Sequence, residues 1–83
     1  MNLIEAMHVD MVQAVHFHYH GTYYIASGWW MIEAYEDSGN KDKVIPESYH
    51  DFDTKEELMN APLFDGKTMK DISEDVEDVI VET

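Results

Sequence analysis

Residues 14–21 read AVHFHYHG, with His16, His18 and His20 at alternate positions. Imidazoles two residues apart on an extended chain project from one side, about 6.5 to 7 Å apart at Cα, so a neighbouring pair can share one Zn²⁺ or Ni²⁺ ion. Three in a row overreach, because His16 and His20 would stand about 13 Å apart, beyond two nitrogens bonded to one ion at about 2.0 to 2.1 Å. The metal expectation is therefore a half-site, His16 with His18 or His18 with His20, completed by a carboxylate, by His50 or by His8. Solvation of a less buried strand face accounts for the same residues without a ligand.

Carboxylates are the second chemistry-bearing set. Eighteen Asp and Glu against five Lys and no Arg give a formal charge of −13. Such a field repels phosphate backbones and anionic lipid, so direct nucleic-acid or membrane binding is not expected and a cationic partner is. Asp71, Glu74, Asp75, Glu77 and Asp78 crowd the C-terminal segment, largely off the stripe Met69, Ile72 and Val76. On one helix, Asp71/Asp75 and Glu74/Asp78 would be like charges four apart, and the terminal acids would oppose the helix dipole. Selection for a basic partner would retain such charges; so would a helix that ends early, or plain solvation.

Catalysis finds no footing. There is no G-x-S-x-G, no phosphate-cradling glycine loop, no H-E-x-x-H and no cysteine, so no enzymatic activity is expected. The functional expectation is a non-enzymatic acidic binding protein, concretely a DNA-mimicking inhibitor of a basic nucleic-acid-binding protein. Its contacts would be Glu74, Asp75, Glu77 and Asp78, aided by Glu56 and Glu57. Two alternatives come from other residues: a transition-metal module on the His16/His18/His20 strand, and a self-associating structural protein with Trp29, Trp30 or the histidine face at a homodimer interface.

The elements that must position these groups follow from periodicity. Asn2 and Glu5 have capping-box spacing ahead of Leu3, Ile4, Met7 and Met11, which predicts a first helix over residues 3 to about 12, with an alternating strand reading of Met7, Val9 and Met11 in competition. From Ala14 the period is two, and His20-Gly21-Thr22 offers a reversal into TYYIAS, giving a hairpin. In either register Val15, Phe17 and Tyr19 share a face with Thr22, Tyr24 and Ala26, and the histidines share theirs with Tyr23, Ile25 and Ser27. WWMIEAY reads as a third strand whose tryptophans must be covered. EDSGNKDK is a polar loop, and VIPESYHDF offers at most a short edge strand because of Pro46.

Asp53 or Thr54 caps a short helix that Ala61-Pro62 stops, Asp65-Gly66 turns the chain, and Thr68 with Asp71 caps a last helix carrying Met69, Ile72, Val76 and Val79 or Ile80. The tail VIVE has the alternative of leaving as a strand. The expected architecture is a single α+β domain over residues 1–83: one helix, a three-stranded antiparallel sheet and two C-terminal helices, in the order α-β-β-β-α-α.

FDTKEELMNAPLFDGKTMKDI, together with YHGTYYI, resembles a group of small uncharacterised proteins of Firmicutes and their phages. The resemblance covers the larger part of the chain, and its residues are caps, a proline stop and turns; it implies helix, antiparallel strands and two further helices, and no activity. The element order and the acidity are also similar to some phage-encoded anti-CRISPR inhibitors, an analogy of topology and charge without a shared motif.

Size and composition bound the rest. A chain of 83 residues buries only about 60 to 65% of the surface it exposes when unfolded, so its stability is marginal. Without cysteine, no disulfide assists, and a reducing, cytoplasmic setting is expected. MNLIEAMHVD carries an acid and no basic n-region, so it does not read as a secretory leader. The most apolar run, Tyr23 to Ile32, is too short to span a bilayer.

Overall fold

A computed structural model describes residues 1–36 and 43–83. Asn2 opens helix α1 (Leu3–Met7): its side chain accepts from the Glu5 amide, and the Glu5 carboxylate accepts from the Asn2 amide. The helix ends well before residue 12. His8 leaves helical geometry, and Met11 sits at a positive φ of 60°, 81% exposed, so it lies on neither a helix face nor a strand.

Strand β1 (Ala14–Tyr19) reverses through His20-Gly21 into β2 (Thr22–Ser27), with Tyr19 opposite Thr22, Phe17 opposite Tyr24 and Val15 opposite Ala26. His20 at φ 48° and Gly21 at φ 79° form the left-handed pair of a two-residue turn whose twist matches that of its strands. A second turn, residues 28–30, leads to β3 (Met31–Tyr35). The expectation that both tryptophans begin a covered strand is corrected here: they lie in the turn, and Trp29 is 82% exposed. Trp30 is half-buried, with the Lys55 ammonium 5.5 Å from its ring centroid. The polar loop EDSGNKDK falls largely on residues 37–42, outside the described residues. Beyond it comes β4 (His50–Asp51), a two-residue edge that pairs with β3 after Pro46 has been passed.

Thr54 caps α2 (Lys55–Asn60) through the Glu57 amide, and Thr68 with Asp71 forms a complete capping box on α3 (Met69–Ile72). The chain then departs from expectation. The last helix stops after a single turn, and β5 (Glu77–Glu82) follows, antiparallel to β1 with Val15 opposite Val81 and His16 opposite Ile80. Continuing the helix would have stacked Asp71 over Asp75 and Glu74 over Asp78, whereas Val79, Ile80 and Val81 are β-branched and alternate in exposure, as a half-buried strand requires. A strand there also supplies β1 with a second set of backbone partners.

The fold is therefore a five-stranded antiparallel sheet, ordered β4-β3-β2-β1-β5, with three short helices. The expected three-stranded sheet and the order α-β-β-β-α-α are both overturned, while the mixed α+β class stands. All three helices pack on one sheet face. Leu3, Ala6 and Met7 of α1, Leu58 and Met59 of α2, and Met69 and Ile72 of α3 close over Val15, Phe17, Ala26 and Ile32. Each of the larger side chains buried this way contributes about 1.5 to 3 kcal/mol relative to exposure. Among the described residues no helix is long and apolar enough to cross a membrane.

Candidate functional site

The same alternation that sends Val15 and Phe17 into the core sends His16 and His18 to the opposite face, beside Tyr23, Ile25 and Ile80. That face is not uniformly wet. His16 is 8% exposed, stacked with Tyr23 at 5.8 Å between ring centroids and hydrogen-bonded through Nδ1 to the Tyr23 hydroxyl. Its Nε2 lies 3.2 Å from Glu82 Oε1, and His18 Nδ1 lies 3.4 Å from Asp78 Oδ2. Both nitrogens are buried without a hydrogen bond of proper angle, so the carboxylates act on them as nearby charges.

Carboxylate, imidazole and hydroxyl in line invite comparison with an activated nucleophile. The electrostatics run the other way. Burial first, then the charge of Glu82, pushes the Tyr23 hydroxyl above its ordinary value, the opposite direction from that of an activated nucleophile. Tyr35, cross-strand from Tyr23, is pushed up to about 12, by burial first and then by its hydrogen bond to Glu33 and the charge of that carboxylate. Tyr24, on the core face, is raised by burial, then by Asp65 and Tyr19.

Among the described residues no group of three or more His, Asp or Glu side chains is placed to hold a metal ion. His16 is engaged by Tyr23 and faces Glu82, His8 bonds the Ile4 carbonyl oxygen at 2.9 Å, and His50 lines a different cavity.

The six expected contact acids divide into two groups. Asp75, Glu77 and Asp78, all exposed, meet His18 and His20 around a cavity of about 220 Å³ at the turn end of β1. Glu74 is adjacent in sequence and accepts from the Asn2 side-chain amide nitrogen Nδ2 at 2.9 Å. Glu56 and Glu57 sit on α2, outside that cavity, and Glu56 lies 3.7 Å from the Lys70 ammonium. The acids thus come from the α3–β5 turn, from a strand and from a separate helix, and the single acidic helix face expected from the sequence does not exist.

Glu82, Glu33 and Tyr35 were not among the expected site residues. The hairpin parity already placed Tyr23 beside the histidines, but Glu82 reaches them only because β5 docks on β1. No family model, curated protein or solved structure matches the chain.

Proposed function

We propose that this chain is a non-enzymatic acidic binding protein whose carboxylates occupy the basic surface of a nucleic-acid-binding protein, as a DNA-mimicking inhibitor. The observation that supports it is the convergence of Asp75, Glu77 and Asp78 on one cavity whose lining contains no lysine. Carboxylates fixed on a strand and its entry turn lose little freedom on binding, whereas a disordered acidic tail would lose a great deal. Charge alone attracts any cation. A preformed relief selects a partner whose basic groups are spaced to match.

Inhibition follows by competition, with the three carboxylates standing where phosphates would stand. Glu74 extends the patch, and Glu56 with Glu57 forms an auxiliary one on α2. The reading rests on charge and its placement, not on any likeness of topology.

The test is capture from a host lysate followed by displacement. The chain should retain a basic, nucleic-acid-binding protein that rising salt releases, and it should displace DNA from that protein. The triple variant Asp75→Asn, Glu77→Gln, Asp78→Asn should bind about tenfold more weakly, in line with the loss of a few rim charges. Capture of no salt-released basic protein, or equal competition by wild type and variant, refutes the proposal.

A further inference from the structure

The sheet face turned away from the helices holds a second concavity. Cross-strand pairing sets Ile25 beside Glu33, Ser27 beside Met31 and Tyr23 beside Tyr35. Between β2, β3 and the approach to β4 lies a groove of about 200 Å³, lined by Ile25, Met31, Glu33, Tyr35 and Tyr49. Its walls combine aliphatic and aromatic side chains with the hydroxyl of Ser27 and those of the tyrosines, and its charge is the single half-buried carboxylate of Glu33. Glu33 is held in place from one side, since its Oε1 accepts from the Tyr35 hydroxyl at 2.9 Å. Tyr49 is half exposed and leans over Met31, its hydroxyl donating to the Met31 sulfur at 2.8 Å.

Among the described residues Glu33 has no ion-pair partner, and no strand of the sheet carries a lysine. A half-buried carboxylate bonded to one tyrosine hydroxyl, in a groove that also holds Ile25, Met31 and a second tyrosine, is complementary to one class of group. That group is a long side chain with an apolar stem and a cationic head.

We infer that this groove receives one lysine or arginine side chain of the basic protein partner, with the stem along Ile25 and Met31, the charge at Glu33, and the rings of Tyr35 and Tyr49 beside it. The inference rests on the reading that the partner is a basic protein, and it adds a contact on a sheet face distinct from the Asp75, Glu77, Asp78 cavity. The partner would then engage the molecule at two places, a carboxylate relief that attracts it and an aromatic slot that orients it.

Hexalysine and hexaarginine, titrated into the isotope-labelled full chain at fixed low salt, provide the probe. Three chains are compared with wild type: Glu33→Gln, which keeps an acceptor for Tyr35; Tyr49→Ala, at a half-exposed position; and Asp53→Asn, which removes one charge elsewhere. Resonances of Ile25, Met31, Tyr35 and Tyr49 should shift with at least one peptide, and Glu33→Gln and Tyr49→Ala should each weaken binding about threefold to fivefold, as an ion pair or cation–π contact of modest strength implies. Asp53→Asn should weaken it less than twofold. Equal weakening by Glu33→Gln and Asp53→Asn, or shifts confined to residues 75–78, overturns the slot while leaving the acidic-surface proposal intact. Binding by neither peptide overturns both.

Discussion

Tyr35 carries the clearest consequence of a single environment. Its hydroxyl, buried and donating to Glu33, is pushed up to about 12 from 10.0. A folded-state value above the unfolded one means that the native chain holds a proton the unfolded chain releases. The associated stability is fully present below pH 10 and is lost as pH rises toward about 12. Urea unfolding followed across that window should show falling stability in the wild type and a shallower fall in Tyr35→Phe, with Tyr23 adding a smaller contribution of the same sign. Identical profiles for the two chains would show that Tyr35 is not the group responsible. His16 makes the complementary point about residue type. Alternation alone assigned it to the wetter face, and it is nevertheless buried, because Tyr23 stacks on it and the neighbouring strand closes beside it.

At the scale of elements, local signals were reliable wherever the partner lies within a few residues. The caps at Asn2 and Thr68, the cap left between Asp53 and Thr54 that falls on Thr54, and the hairpin parity are of this kind, since each depends on neighbours that sequence spacing already brings together. The turn itself retains a defect that can be measured. His20 occupies a left-handed position at φ 48° beside Gly21, a place that asparagine accepts with less strain. His20→Asn should therefore raise stability by about 0.5 to 1 kcal/mol, read as a shift in urea midpoint at unchanged m-value. A lower midpoint would mean that the stacking of His20 on Tyr19, 4.0 Å between centroids, outweighs the backbone strain. The last element takes the type that the sequence offers only as its alternative, a strand in place of a continued helix. Its apolar residues satisfy a helical stripe through Met69, Ile72 and Val76, and equally a strand alternation through Val79 and Val81.

The whole molecule depends on one thin core between the helices and a single sheet face. Phe17 sits at its centre, fully buried, stacked on Tyr24 at 5.2 Å and tilted against Phe64 at 6.1 Å. Phe17→Ala should cost about 3 to 5 kcal/mol, which is most of the stability expected of a domain this small. Circular dichroism should find the variant largely unfolded at 37 °C, and a cooperative transition near the wild-type midpoint would show that the core tolerates the void. By itself, the sequence determined the mixed α+β class, the helix starts, the histidine and core faces of the hairpin, and a surplus of carboxylates over lysines. These are properties of neighbouring residues and of composition. Only the tertiary structure decided that residues 77–82 pair with β1, that Trp29 stands in water, and that Glu82 and Asp78 face the histidines while Glu33 shares a groove with Tyr35 and Tyr49. Each of those outcomes is a contact between segments far apart in the chain or on different strands, and its energy appears only once the sheet has closed and water has left the space between them.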